Sequence, residues 1–178
     1  KDEENYLSYN QERIQFITSL IKGLYNKSEN NNTLVLFKSI EDGFWEDLYE
    51  NLKGEVEDVF VVHGKIKLKD RIEAIAKTET KNNCLILASF ATFSTGINLK
   101  NLHNIIFVES YKSLVKIGQS IGRGMRKHDS KDKINIFDIV DKFKFKNITY
   151  KQYEARVQIY KELEYLMKDE IHYTIKKI

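Results

Sequence analysis

Thr33-Leu34-Val35-Leu36-Phe37 is a short run in which apolar residues follow one another without polar alternation. A strand that is covered on both faces has this composition, because neither of its faces meets water. Comparable runs recur at residues 59–62, 85–88, 105–108 and 134–139. The sequence therefore predicts five strands, and the first two are expected to be buried.

The segments between these runs have the period of amphipathic helices. One helix is predicted at residues 11–25, a second after residue 42 and a third at residues 68–78. Ser39 and Asp42 form the pattern of a capping box before the second helix. Alternating strands and helices predict an α/β fold with a mainly parallel sheet and helices on both faces. The apolar positions of these helices that are expected to face the core are Ile14, Ile17, Ile21, Leu24, Phe44, Leu48, Leu52, Ile72, Ile75 and Ala76.

Length and composition indicate one globular domain. The chain has 178 residues, of which 42% are hydrophobic and 31% charged. Its net charge of +3 gives no overall basic character, so any nucleic-acid patch must be local. The single Cys84 is expected in the core and excludes a disulfide within the chain, which fits a reducing cytoplasm. Neither a membrane-spanning run nor a signal peptide is visible, so we expect no membrane partner. The chain starts without Met and is expected to be a fragment.

Loops at the carboxyl ends of parallel strands are where such sheets bind their ligands. His63-Gly64-Lys65 follows the second strand, and Gly64 and Lys65 are predicted contacts of a nucleic-acid backbone. For His63, a structural hydrogen bond is favoured over a role as ligand or base. The chain contains neither a P-loop pattern nor an Asp-Glu pair after an apolar strand. The four histidines lack metal-ligand spacing, so no metal site is predicted.

The segment at residues 89–99, after the third strand, is rich in small hydroxyl residues. Hydroxyls and backbone amides near a strand end can hold phosphates. Ser89, Thr92, Thr95 and Gly96 are therefore candidates to hold phosphates, such as those of a nucleic-acid backbone. The alternative interpretation is a helix cap with an Asx turn.

The stretch Gln119-Ser120-Ile121-Gly122-Arg123-Gly124-Met125-Arg126 divides into two faces when it is drawn as a helix. Gln119, Arg123 and Arg126 share the polar stripe. Only five arginines stand against twenty-four lysines in the chain, and a guanidinium fork fits phosphate oxygens better than an ammonium does. The plainer alternative is a surface helix with solvated arginines. The apolar stripe consists of Leu114, Ile117, Ile121 and Met125.

Three stretches, in this order, resemble signature motifs of superfamily 2 helicases. Residues 34–37 are similar to motif IV, residues 89–98 to motif V and residues 119–126 to motif VI. The resemblance implies the second RecA-like lobe of an ATP-dependent helicase. Residues 126–141 further resemble the recombination helicases of phages, which implies action on branched DNA, R-loops or stalled forks.

The same resemblance implies roles for single residues. Arg126 and Arg123 are predicted to be catalytic, the nearer one acting as an arginine finger. Gln119, Gly96 and Asn98 are predicted to bind ATP. ATP and Mg²⁺ would be bound mainly by a missing N-terminal lobe of the same protein. The alternative is a non-enzymatic nucleic-acid or protein-binding module built on the same scaffold.

The C-terminal part is predicted to be a helical extension at residues 149–178, after a lobe that comprises residues 1–148. The extension is expected to pack on this domain or on the missing lobe, in preference to binding a partner. Lys142, Lys144 and Lys146 alternate with phenylalanines; a DNA-phosphate contact is one interpretation and a solvated face the favoured one. The apolar side of the predicted helix consists of Tyr153, Val157, Tyr160, Leu163, Met167, Ile171 and Ile175.

Overall fold

All five predicted strands form in a single parallel sheet. The computed structural model describes residues 2–27, 31–96, 98–111, 122, 133–144 and 147–165. The strands are β1 (Thr33–Phe37), β2 (Asp58–Val62), β3 (Cys84–Ser89), β4 (Asn104–Phe107) and β5 (Asn135–Asp138). Their order across the sheet is β2-β3-β1-β4-β5, and every neighbouring pair is parallel.

Burial of the strands follows their place in the sheet. All residues of β1, β3 and β4 are buried, whereas only Val62 is buried in β2. The prediction of a second buried strand is therefore wrong. β2 is an edge strand with a neighbour on one side only, and its apolar composition did not reveal this.

Helices cover both faces of the sheet, as predicted. On one face Ile14, Ile17 and Phe44 share a core cluster with Val35 of β1. On the other face Phe90 and Tyr160 share a cluster with Leu34 of β1. Cys84 is buried, as expected, and burial raises the pKa of its thiol. The helices are α1 (Asp2–Tyr9), α2 (Gln11–Tyr25), α3 (Phe44–Leu52), α4 (Leu68–Thr80), α5 (Phe90–Gly96) and α6 (Ile148–Glu162).

The inward face of α4 differs from the prediction. Ile72 is 57% exposed and Ala76 is also exposed, while Ala74 and Thr78 are buried. Thr78 is tolerated inside because its hydroxyl donates to the carbonyl oxygen of Ala74 at 2.9 Å. A buried threonine does not register in apolar periodicity, which explains the error.

The predicted capping box before α3 is not formed. Ser39 Oγ accepts from the backbone N–H of Glu41, and Asp42 Oδ1 accepts from that of Phe44 at 3.2 Å. The N-cap is Gly43 at φ +76°, a left-handed conformation that favours glycine. Both polar side chains therefore shape the turn that leads into the helix.

The C-terminal helix α6 also differs from its predicted face. Tyr160 is buried as expected, but Leu163 is 44% exposed. Thr149 and Arg156 are buried instead. The apolar positions predicted beyond residue 165 lie outside the described residues.

At the end of the sheet where the strands begin, its amino edge, the side chain of one asparagine bonds to several backbone groups. Asn32 is fully buried, and its side-chain amide lies 2.8–2.9 Å from the carbonyl oxygens of Thr78, Lys81 and Asn101. Its side-chain oxygen accepts the backbone N–H of Cys84 at 2.9 Å. One side chain thus joins the entrances of β1 and β3 to the end of α4 and the loop before β4.

A carboxylate from α1 caps the N-terminus of α6. Glu3 accepts the backbone N–H groups of Ile148 and Thr149, both at 2.9 Å, and the hydroxyl of Thr149 at 2.6 Å. Burial alone would raise the pKa of Glu3, but these bonds and one from Asn147 outweigh it and lower the pKa to about 2. The first and last described helices are thereby joined.

Candidate functional site at the carboxyl edge of the sheet

The predicted loops after β2 and β3 emerge at the same edge of the sheet, because the two strands are parallel neighbours. Val62 of β2 is paired with Ala88 of β3, so His63 and Ser89 continue adjacent strands at equivalent positions. The fold therefore brings these two groups of predicted site residues to one edge.

The loop after β2 presents an open backbone and a cation. Gly64 is exposed, and a Cβ added there would meet no atom within 4 Å. Lys65 is exposed and forms an ion pair with Glu41. Such an exposed pair exchanges readily with another anion, because exposed ion pairs contribute little free energy.

His63 holds this loop through a hydrogen bond to its backbone. Its Nδ1 accepts the backbone N–H of Lys65 at 3.3 Å, and its ring lies 4.8 Å from the Trp45 ring, centroid to centroid. Burial lowers the pKa of His63, as do the charges of Lys65 and Arg71. The predicted structural hydrogen bond is confirmed.

The segment after β3 begins a helix, for which the sequence left open a phosphate-binding loop and a helix cap. Ser89 Oγ donates to Thr92 Oγ1 at 2.9 Å and accepts the Thr92 N–H at 3.4 Å, as an N-cap does. Ser89 is buried and Thr92 half-buried. Thr95 and Gly96 lie in the last turn of α5, and Asn98 is exposed just beyond it. The cap geometry is thus present, and the predicted nucleic-acid role of these residues stays a prediction.

The motif VI side chains Gln119, Arg123 and Arg126 lie outside the described residues. Within that stretch the structure describes Gly122, which is helical and exposed. The chain leaves β4 at the carboxyl edge with Val108, and the structure describes it as far as Tyr111. The predicted roles of Gln119, Arg123 and Arg126 in catalysis and ATP binding stay predictions.

Glu109, just beyond β4, is a residue that the sequence analysis missed. Its carboxylate accepts the backbone N–H of Lys38, which follows β1. Burial raises the pKa of Glu109 to about 7, and Asp42 adds to the rise, although the Lys38 amide and the charges of Arg13 and Lys38 oppose it. An acid directly after the apolar run at residues 105–108 was the available signal.

Two buried arginines fix the carboxyl end of β5, and neither was predicted. Arg13 of α2 binds both oxygens of Asp141, at 2.8 and 2.9 Å, and also donates to a backbone carbonyl oxygen. Arg156 of α6 binds both oxygens of Asp138, again at 2.8 and 2.9 Å. Tyr160 donates to Asp138 at 2.9 Å, and burial and the Asp138 charge raise its pKa. These arginines are internal ligands of carboxylates, so they differ in kind from arginines that would meet a phosphate.

Among the described residues, no group of three or more His, Cys, Asp or Glu side chains could hold a metal ion. A search of the same part of the chain for a helix of sufficient length and hydropathy to cross a membrane found none.

Residues 12–128 match the family described as helicase conserved C-terminal domain. The chain is 32% identical over 139 residues to the ATP-dependent DNA helicase UvsW of Enterobacteria phage T4, covering 74% of this chain and 27% of that protein. The crystal structure of T4 UvsW has a TM-score of 0.71 at 28% identity and covers 90% of this chain and 34% of that one. The chain thus spans about a quarter to a third of the length of these relatives.

Two further solved structures share the fold. The C-terminal part of the Fun30 ATPase domain has a TM-score of 0.62 at 17% identity, covering 80% of this chain and 44% of that one. S. cerevisiae Dbp5 bound to RNA and ADP BeF3 has a TM-score of 0.62 at 16% identity, covering 87% and 37%. At such identities the likeness concerns the fold alone, and that fold is the RecA-like parallel sheet predicted above. The match over residues 12–128, together with this sheet, shows that the chain belongs to the helicase conserved C-terminal domain family.

Proposed function

We propose that the chain is the second RecA-like lobe of an ATP-dependent DNA helicase or translocase that acts on branched DNA, R-loops or stalled forks. The observation that carries the proposal is the 32% identity, over 139 residues, to a protein named as an ATP-dependent DNA helicase. The common edge shared by the loops after β2 and β3 supports it, because a nucleic-acid strand could contact both loops at once. The protein would work in the cytoplasm, that of the host if a phage encodes it.

In this proposal ATP and Mg²⁺ are bound mainly by an N-terminal lobe of the same protein. Gln119, Arg123 and Arg126 complete the site from the opposite wall of the cleft, and Gly96 and Asn98 approach the nucleotide from the end of α5. The planar guanidinium forks match phosphate oxygens. An arginine that meets the γ-phosphate in the transition state stabilises the charge that develops there.

The DNA backbone would lie along the loops after β2 and β3. Gly64 allows close approach because its surroundings are open, and Lys65 exchanges its exposed carboxylate partner for a phosphate. Thr92 and Thr95 contribute at the start and end of α5, while Ser89 holds the helix start through its hydroxyl. Opening and closing of the cleft would then move the two lobes along the strand.

The test compares the 178-residue chain with a longer protein that also contains the preceding lobe. The chain contains no P-loop pattern, so its ATP turnover should stay at background with and without DNA. The longer protein should hydrolyse ATP faster with DNA, and forked duplexes should stimulate it more than linear ones.

Two outcomes would contradict the proposal as a whole. DNA-stimulated turnover by the chain alone would refute the two-lobe arrangement. A longer protein that binds DNA without hydrolysing ATP would identify a non-enzymatic binding module. Equal stimulation by forked and linear DNA would remove the branched-DNA part alone.

A further inference from the structure

A row of aromatic rings lies on the surface beyond β5. The Tyr6 and Phe143 rings are 6.0 Å apart between centroids, and those of Tyr150 and Tyr153 are 5.7 Å apart. The ammonium group of Lys142 lies 4.9 Å from the centre of the Tyr150 ring, and Lys142 directly precedes Phe143 in the chain. We call Tyr6, Phe143, Tyr150 and Tyr153 the aromatic row; it joins α1, the segment after β5 and the first turns of α6.

The row is partly accessible and is accompanied by positive charge. Tyr6 is 51% exposed, the other three rings are half-buried, and Lys142 and Lys144 are both exposed. Within the described parts of the chain, no carboxylate lies at ion-pair distance from either lysine. Asp141, which precedes Lys142, binds Arg13, and Glu3, on the helix that contains Tyr6, caps α6.

We propose that the aromatic row, with Lys142 and Lys144, is a second binding site for single-stranded DNA. Unpaired bases stack on aromatic side chains whatever their sequence, while lysines beside them bind the phosphates. Charge complementarity selects this occupant, since the two lysines need anions and the rings need flat apolar partners. An acidic protein would satisfy the lysines and leave the rings without matching surfaces.

The cation–π contact suggests how a base enters. Lys142 covers one face of Tyr150, and base stacking on an aromatic ring is stronger than an exposed cation–π contact. An incoming base therefore displaces the ammonium group, which is then free to bind the adjacent phosphate. Both partners of the original contact gain a ligand in the same step.

Like the loops of the proposed function, the site lies beyond the carboxyl ends of the strands, but it is on the opposite side of the sheet. Lys142 follows β5, one edge strand, and Gly64 follows β2, the opposite edge strand. Four interstrand spacings separate those strands, about 19 Å. The row extends the proposed DNA path across the sheet and, as a binding site, does not depend on ATP hydrolysis.

The test measures fluorescence anisotropy of a labelled oligothymidylate with the 178-residue chain at two salt concentrations. Tyr150→Ala should weaken binding about 5- to 140-fold, the range for one stacked base, whereas Tyr150→Phe should bind almost as wild type. The double variant Lys142→Ala, Lys144→Ala should lower the slope of log affinity against log salt by about 1.4. A duplex of the same sequence should bind more weakly, because its bases are already stacked.

Matched controls lie in the same chain. Tyr9 is 62% exposed on α1 and, among the described residues, has no ring contact with the row, so Tyr9→Ala should bind as wild type. Lys27 is exposed near the amino edge, and Lys27→Ala should also bind as wild type. If Tyr150→Ala does not fold, as judged by circular dichroism, Tyr6→Ala tests the same row from its exposed end.

Wild-type binding by both Tyr6→Ala and Tyr150→Ala would overturn the proposal and leave the row as a protein contact. An effect of the lysine substitutions alone would also overturn it, since that indicates a general electrostatic surface. These results are separable from the proposed function, because a failed aromatic row leaves the effects of Lys65→Ala on DNA and of Arg126→Ala on ATP turnover unchanged.

Discussion

The two edges of the sheet are built from the same strands but differ in what their polar groups contact. At the amino edge Asn32 is fully buried, and both ends of its side-chain amide are bonded to backbone groups of the same chain. At the carboxyl edge Gly64 and Lys65, which follow β2, are exposed, whereas Glu109 and the Arg13–Asp141 pair are internal. The amino edge at Asn32 therefore maintains the fold, whereas the loop after β2 keeps polar groups where a ligand can reach them.

The largest effect should come from a substitution in the motif VI stretch that changes turnover and leaves stability unchanged. In the longer protein, Arg126→Ala should reduce DNA-stimulated ATP turnover by up to about 10³- to 10⁵-fold, because it removes the proposed arginine finger; a second nearby arginine would soften the loss. Arg126→Lys should rescue poorly, since lysine lacks the planar fork. Steady-state ATPase assays measure the effect, with melting temperature and DNA affinity without nucleotide as controls.

Two other outcomes would change the assignment. If Arg123→Ala lowers turnover and Arg126→Ala does not, the finger is Arg123 and the site stands. If both single variants and the double variant keep wild-type turnover, the motif VI assignment must be abandoned.

The next largest effect should be a loss of stability, caused by a substitution at the amino edge. Asn32→Ala should lower the free energy of unfolding by about 3 kcal/mol, because it leaves buried backbone groups, including the Cys84 N–H, without a partner. Urea unfolding of the 178-residue chain measures this. Asn5 is exposed on α1, and Asn5→Ala should change the free energy by less than about 0.5 kcal/mol. Equal stabilities for the two variants would show that the edges do not differ in this way.

A smaller effect tests the charge state of Glu109. Its pKa is raised from 4.5 to about 7 in the folded chain, so the folded state binds the proton more tightly than the unfolded state. Wild-type stability should therefore fall as pH rises from about 4.5 to 7, by about 1–2 kcal/mol after solvent screening. Glu109→Gln should remove this dependence and be the more stable protein at pH 8.

Urea unfolding at several pH values between 4.5 and 8 gives the comparison directly. The amide side chain introduced by Glu109→Gln would still offer an oxygen to the Lys38 N–H, so the hydrogen bond itself is kept. Parallel pH profiles for wild type and variant would contradict the assigned pKa.

The smallest effect should be that of Lys65→Ala. Removal of one phosphate contact should weaken binding of single-stranded DNA a few-fold and lower its salt slope by about 0.7. The ion pair to Glu41 is exposed, so unfolding should change by less than about 0.5 kcal/mol. Anisotropy titrations at two salt concentrations, with Lys27→Ala as control, would detect it. A large loss of stability would place Lys65 among the residues that maintain the fold.

The sequence predicted what depends on local apolar patterns. Ile14, Ile17 and Ile21 are buried as expected, and the strand at Thr33–Phe37 has the predicted bounds. It did not predict the burial of Arg13, one position before Ile14, because that burial depends on Asp141, 128 residues away. The sequence did not predict that β2 is an edge strand for the same reason, since the number of neighbours of a strand is a property of the whole sheet.

The candidate site was predicted to a different extent. The alternation of strands and helices predicted that the segments containing Gly64 and Ser89 lie at the carboxyl ends of parallel strands, and the fold confirms this. Glu109 was missed because its raised pKa arises from burial. A single acid after an apolar strand does not reveal that burial. The helix cap at Ser89 was one of the two interpretations of this segment, and the sequence could not separate it from a phosphate-binding loop, because a hydroxyl after a strand has the same sequence pattern in both cases.

The carboxylate that caps α6 has a consequence for the order of events during synthesis. Glu3 and Thr149 are 146 residues apart, so the ribosome produces α1 long before it produces the helix that α1 caps. At translation rates of about 5–20 residues per second, the interval is roughly 7 to 30 s. All five strands are synthesised within it, and the cap can form only after them. A chain that ends before α6 should therefore leave Glu3 to titrate as an ordinary carboxyl.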